Sequence, residues 1–153
     1  MARPILSRIA LMSVAAAMAL PASAALDIGD PVPKFTANAA LGGKTFRYSL
    51  AEALAKGPVV LYFYPAAFTP GCNIQAHTFA ENYDKFTAAG ASVVGVSLDK
   101  ISTLHEFSAD PDYCAGKLPV ASDLDGKIAK SFERKVGDAR PGAKNGKGHE
   151  LDH

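Results

Sequence analysis

Cys72 is the residue best placed to do chemistry in this chain of 153 residues. Pro65, Thr69 and Gly71 precede it in the order Pro-x3-Thr-x-Gly-Cys. The sequence predicts that Cys72 lies in the first turn of a helix. There the free amide groups and the positive end of the helix dipole favour a thiolate and lower the pKa of the thiol. A thiolate is a nucleophile and a redox centre. Gly71 leaves no side chain beside the sulfur, so a substrate and backbone amides can come close. The Thr69 hydroxyl can hydrogen-bond both the thiolate and a substrate oxygen. Pro65 has no N–H and is rigid, so it can wall the pocket and exclude water. Each residue also has a plainer reading. Pro65 and Pro70 are ordinary turn residues, Thr69 is a helix cap, and Cys72 is a buried thiol or half of a disulfide.

The elements around Cys72 suit the reactive reading. Val59 to Tyr64 is an apolar, β-branched and aromatic run of strand type. The helix opening near Cys72 is expected to run to Ala89, with Phe79, Tyr83 and Phe86 on one face and Gly90 as its stop. Ala91 to Leu98 reads as a strand covered on both faces. Strand, helix and strand together predict a βαβ unit. Upstream, residues 28–35 carry Pro31 and Pro33 and read as an extended lead-in. Leu41 to Tyr48 reads as a turn and a short strand. Ser49 and Glu52 have capping-box spacing for a helix over 50–55. Downstream, a helix starts near Ser102 or Thr103, with Leu104 and Phe107 inward. A short strand follows over 118–121, then a helix capped by Asp123 with Leu124, Ile128 and Phe132 on its inner face.

The two ends read differently. Arg3 and Arg8, the apolar run Ile9 to Leu20 and the Ala22-Ser23-Ala24 site form a secretory signal pattern over 1–24, with cleavage after Ala24. A membrane anchor or an ordinary N-terminal helix is the competing reading. The domain is expected over 25–133, and the polar, glycine-rich stretch 134–153 as a loop or disordered tail. Of 16 Lys and Arg, Arg3 and Arg8 fall in the leader, so the remainder holds 14 basic against 15 acidic residues. That balance supports neither nucleic acid nor, after cleavage, a membrane surface as partner.

The pattern Pro65-x3-Thr69-x2-Cys72 resembles the peroxiredoxin active site. Gly29-Asp30-Pro31-Val32-Pro33-Lys34-Phe35, Gly57 to Pro65, Phe68 to Cys72 and Leu118 to Gly126 resemble that family too, most closely its bacterioferritin-comigratory or Q-type branch. The resemblance implies an α/β, thioredoxin-like fold with a mixed central sheet flanked by helices. It implies reduction of hydrogen peroxide or organic hydroperoxides through a cysteine sulfenic acid, with no cofactor and no metal. Cys72 would be the nucleophile, Thr69 and Pro65 its companions, and Gly71 part of the pocket backbone. The implied partners are the peroxide and an external thiol reductant, and a homodimer is compatible. The leader places such a protein in the periplasm, or secreted.

Two departures stand out. Many Q-type members carry a resolving cysteine five residues after the first, where this chain has His77. Some place it in the helix after the next strand, and Cys114 lies near the end of that region. A buried bystander, or a one-cysteine mechanism with an external thiol, are the other readings of Cys114. The family also continues with two more strands and a helix, one strand bringing an arginine to the site. No segment here resembles them, so those C-terminal strands are expected to be missing, and Arg134 and Arg140 do not sit in a matching context. An inactive binding module, or a structural domain with a Cys72–Cys114 disulfide, is the alternative.

Other chemistries fit less well. A thiol–disulfide oxidoreductase needs Cys-x-x-Cys, and Gln75 stands at the fourth position. A zinc site could draw on Cys72, His77, His105 and Cys114, without the tight hook such sites use. A Cys–His hydrolase needs an imidazole beside Cys72. His77 and His105 read instead as exposed helix residues, and His149 and His153 as tail residues.

Overall fold

A computed structural model describes residues 23–135. In chain order its elements are β1 (Ser23–Ala25), β2 (Thr36–Leu41), β3 (Lys44–Ser49), α1 (Leu50–Lys56), β4 (Val59–Tyr64), α2 (Pro70–Glu81), α3 (Tyr83–Ala88), β5 (Ser92–Ser97), α4 (Ile101–Ala109), β6 (Val120–Ser122), α5 (Lys127–Ser131) and β7 (Glu133–Lys135). Five strands form a mixed sheet in the order β3-β2-β6-β5-β4. β4, β5 and β6 run parallel, and β2 is antiparallel to both β3 and β6. This is the thioredoxin-like α/β architecture that the resemblance implies.

Local chemistry explains most elements. Gly42 and Gly43 both have positive φ (56° and 79°), which closes the β2–β3 hairpin in two residues with the twist strands favour. The Ser49 hydroxyl accepts from the Glu52 amide at 3.4 Å and starts α1. Alternation along the strands divides the core between the sheet's two faces. Tyr62, Tyr64, Val93 and Val120 meet Ala76, Leu104, Phe107, Cys114 and Leu118 on one face. Val94, Val96 and Ala121 meet Leu50, Ile128 and Phe132 on the other. Residues 93–97 are all buried, as a strand covered on both sides requires.

The structure differs from the sequence expectations at several points. β2 forms over a segment with no strand signal. Its Thr-Ala-Asn-Ala-Ala-Leu sequence has little strand propensity, and pairing on both sides decides its state. The long helix over 72–89 is two helices. Asn82 breaks it (φ −98°, ψ 7°): its amide nitrogen donates to the Thr78 carbonyl and its oxygen accepts from Lys85. Leu124 is exposed rather than inward. Asp123 does cap α5, but from a distance: its carboxylate accepts the amides of Ile128 (3.0 Å) and Ala129 (2.8 Å) across a turn in which Gly126 has φ 68°. The chain therefore turns at Leu124 before the helix begins. β4 lies at the sheet edge, so of its six residues only Tyr62 and Tyr64 are buried.

β1 and β7 form a separate antiparallel pair, Ser23↔Lys135 to Ala25↔Glu133. This pair spans the expected cleavage point, and it takes in Arg134 and Lys135 from the stretch read as a polar tail. The rest of the leader and tail, including Arg140, His149 and His153, lies outside the described residues. No helix among the described residues is long and apolar enough to cross a membrane.

Candidate active site

The site forms where β4 ends. Pro65 terminates the strand, Phe68 turns the chain with φ 61°, and Thr69 becomes the N-cap of α2. Pro70 and Gly71 fill the first two helical positions, and Cys72 the third. Proline suits the first turn because it has no N–H to leave unpaired. The first backbone bond of the helix is Asn73 N–H to the Thr69 carbonyl, at 2.9 Å.

Thr69 does not behave as an N-cap threonine usually does. Its hydroxyl makes no cap bond to the helix amides. It donates backward to the Ala66 carbonyl at 2.9 Å. The amides of Gly71 and Cys72, which an N-cap side chain would normally approach, therefore keep their donors for a bound anion or substrate oxygen. With its own proton committed, the Thr69 oxygen is left as an acceptor.

The loop is pinned from the neighbouring strand. Asp99, just past β5, accepts the Ala67 amide at 2.7 Å and the Ser97 hydroxyl at 2.8 Å. Its own carbonyl accepts the Ser122 hydroxyl at 2.6 Å. The ends of all three parallel strands are thus tied through one residue. Phe68, in a left-handed conformation that bulky residues avoid, is held by edge-on contacts to Phe107 (5.2 Å) and Tyr113 (5.6 Å). Nothing in the sequence singles out Asp99, although a polar Ser-x-Asp at the end of an apolar strand is where strand-end loops are commonly anchored.

Cys72 is buried, with 8% exposure, and carries a free thiol. Gly71 is exposed, and a Cβ built on it would meet nothing within 4 Å. The turn is therefore open to solvent at Gly71. Pro65 is exposed and borders a hollow of about 260 Å³ with Phe63, Val96 and Asp123. That hollow lies on the face away from Cys72, whose sheet neighbours are Tyr62 and Tyr64.

Cys114 is fully buried and also free, so the two cysteines are not joined in this structure. Both belong to one apolar cluster with Tyr62, Tyr64 and Phe107. Burial, and then the Asp110 carboxylate, push the Cys114 thiol up to about 12. Its turn is tightly bonded: Tyr113 and Ala115 donate to Asp110, and Lys117 and Leu118 donate to the Cys114 carbonyl. The loop at Pro111, Asp112 and Tyr113 is therefore an ordered turn rather than a slack connection.

His77 and His105 are engaged elsewhere. His77 pairs with Glu81 at 3.3 Å along α2, and His105 bonds the Thr45 hydroxyl. Among the described residues no cluster of three His, Cys, Asp or Glu side chains could hold a metal ion.

The candidate site is thus a cysteine on the first turn of a helix, at the end of a Pro-x3-Thr-x2-Cys loop on a mixed α/β sheet. Residues 28–145 match the AhpC/TSA family, and the chain belongs to it. It is 42% identical over 106 residues to the chloroplastic peroxiredoxin Q of Populus jackii, covering 68% of this chain and 46% of that one. A Mycobacterium tuberculosis relative named as a peroxiredoxin is 42% identical over 104 residues, 68% of this chain and 62% of its own. Among solved structures, peroxidoxin BcpB of M. tuberculosis superposes with TM-score 0.60 at 35% identity, covering 68% and 64%. The reduced 2-Cys peroxiredoxin of Plasmodium vivax gives TM-score 0.62 at 25% identity, covering 69% and 68%. The chain thus spans about 62% of the length of its mycobacterial relative and less of the poplar one.

Proposed function

We propose that this protein is a thiol-dependent peroxidase that reduces hydrogen peroxide or organic hydroperoxides. The observation that carries the reading is the bare first turn of α2, where the Thr69 hydroxyl turns away and leaves the Gly71 and Cys72 amides uncapped. The Cys72 sulfur attacks one peroxide oxygen and the O–O bond breaks. Cys72 becomes a sulfenic acid, and the other oxygen leaves as water or an alcohol. The uncapped amides donate to the oxygens as charge develops on them. The Thr69 oxygen accepts the remaining peroxide hydrogen, and Gly71 leaves the approach open. Pro65 stiffens the end of the strand that carries the loop.

Cys114 resolves the sulfenic acid. It shares an apolar cluster with Cys72 and is the chain's one other thiol. An external thiol reductant then restores both cysteines. The protein is exported: Arg3, Arg8, the apolar run to Leu20 and Ala22-Ser23-Ala24 support removal of the leader and residence in the periplasm. N-terminal sequencing of the exported protein tests that directly, with Ala25 as the expected first residue.

Peroxide loss catalysed by the reduced full chain, with Cys72→Ser as the control, tests the activity. Turnover that disappears in the variant supports the reading. Consumption no faster than that of a free thiol, from folded protein, refutes it.

A further inference from the structure

We propose that the hydroxyls of Tyr62 and Tyr64 donate the hydrogen bonds that stabilise negative charge on sulfur when Cys114 closes on oxidised Cys72. The proposal rests on Cys114 being the resolving thiol.

Both tyrosines project from β4 onto the face that holds the two cysteines. Tyr62 is 8% and Tyr64 5% exposed. Among the described residues, neither hydroxyl has a hydrogen-bond partner of good geometry. Ser97 lies beside the Tyr64 hydroxyl, where a weak hydrogen bond favours the ionised form and burial outweighs it, and it gives its own proton to Asp99; the Tyr62 hydroxyl has no such neighbour.

The rings are seated with care. They stack at 5.5 Å, and Tyr62 stacks on Phe79 at 4.7 Å. Gly95 on β5 makes room for them. A Cβ there would lie 2.7 Å from both the Cζ and the hydroxyl of Tyr62, and 2.9 Å from Cε1 of Tyr64. Phenylalanine would pack in the same places without stranding a donor, and a buried donor with no acceptor is unfavourable. The hydroxyls therefore have a use in another state of the site.

The groups that can supply that state are the sulfurs. Charge on Cys114 or on Cys72 is felt at both hydroxyls. A neutral thiol is a poor acceptor, whereas a thiolate is a strong one. Burial holds both tyrosines far above the ordinary range, so they remain protonated donors. Tyr48 provides an internal contrast: its hydroxyl is also buried and unpartnered, but it lies in the cluster on the opposite face.

The step balances as follows. Peroxide has already oxidised Cys72 to the sulfenic acid. Cys114 loses its proton and attacks the Cys72 sulfur. The S–S bond forms as the S–O bond breaks, and the departing hydroxide takes the Cys114 proton to give water. The Cys72 sulfur is reduced, the Cys114 sulfur is oxidised, and the tyrosines only donate hydrogen bonds.

Rapid quench of the reduced full chain with hydrogen peroxide, followed by intact mass, separates the two steps. One added oxygen marks the sulfenic acid, and loss of two hydrogens from the reduced chain marks the disulfide. In Tyr62→Phe and Tyr64→Phe the first step should slow less than the second, because the uncapped α2 amides also hold charge on Cys72. The second should slow by about ten- to a hundredfold, the range that a hydrogen bond to an ionised group commands. Urea stability should not fall, and Tyr48→Phe should leave both steps unchanged. Disulfide formation at the wild-type rate in the Tyr62 and Tyr64 variants would overturn the proposal while leaving Cys114 as the resolving thiol. A wild-type chain that stops at the sulfenic acid would overturn the Cys114 reading, and this proposal with it.

Discussion

Asp99 is the most economical place to test how the reactive loop is held. Its carboxylate accepts the Ala67 amide at 2.7 Å and the Ser97 hydroxyl at 2.8 Å. Both donor residues are buried, at 8% and 3% exposure. Asp99→Ala strands the Ala67 amide outright, whereas the Ser97 hydroxyl can rotate to a new acceptor. A stranded buried donor costs about 1–3 kcal/mol, so the expected loss is about 2 kcal/mol. For a domain of this size that lowers Tm by about 10 °C. Both bonds go to one oxygen, Oδ2, so Asp99→Asn can keep that acceptor and should lose less than Asp99→Ala. The loop bearing Thr69 and Cys72 loosens as well, so peroxide reduction should fall in Asp99→Ala under conditions where circular dichroism shows an intact fold. Urea unfolding gives the stability, and single-turnover oxidation of Cys72 gives the rate. An Asp99→Ala protein within about 0.5 kcal/mol of wild type, with Cys72 reacting normally, would show that Asp99 does not anchor the site.

Other perturbations follow from the same geometry. Gly95→Ala drives a Cβ to 2.7 Å from the Tyr62 ring and should cost about 1–3 kcal/mol by overpacking; a urea midpoint equal to wild type would contradict the close approach. Gly71→Ala has open space and no positive φ, so its stability should hold or rise by up to about 1 kcal/mol, while peroxide oxidation of Cys72 slows because the approach narrows; an unchanged rate would show that peroxide comes from another side. Alkali should destabilise the fold through Cys114. Burial raises this thiol from an ordinary 9.0 to about 12, so above pH 9 the folded state holds a proton that the unfolded chain releases. That stability is complete below pH 9 and is lost as the pH rises toward 12. At pH 10 the loss is on the order of 1 kcal/mol. Tyr48, held up to about 12, adds to the slope only above pH 10. Cys114→Ala should flatten the stability curve between pH 9 and 10 even if its overall stability is lower.

The parts of the site that were legible are those whose local chemistry and long-range packing agree. Val59 to Tyr64, the turn through Pro70 and the cysteine on the first helical turn follow from propensity, proline stereochemistry and helix-end electrostatics, and the structure places them so. Leu104 and Phe107 face inward because their spacing matches a helix on a sheet. The misses come from tertiary forces. Ala39 and Ala40 carry no strand signal and become strand only between β3 and β6. Asn82 reads as tolerable within a helix, yet its side chain competes with the backbone and breaks it. Leu124 looks like one face of a helix, but the reach of the Asp123 carboxylate delays that helix to Lys127. The Asp99 anchor and the unpartnered tyrosine hydroxyls depend on which loops and rings meet, which spacing along one chain does not encode.

The parallel pair β4–β5 has a bearing on how the protein acquires its reactivity. The run from Val59 to Ser97 contains that pair and both helices between them, so the Cys72 helix start is built from neighbouring segments. Cys114 is enclosed only when β6 docks between β2 and β5, joining Ala39 to Ala121 across about 80 residues. Shorter loops close at lower entropic cost and generally earlier. During refolding, then, Cys72 should gain protection from a pulse of alkylating reagent before Cys114 does. Protection in the reverse order would refute this sequence of events. In that interval the turn bearing Cys72 is built while the second thiol is still accessible, so an oxidant added during refolding would meet both sulfurs before Cys114 is sealed inside the core.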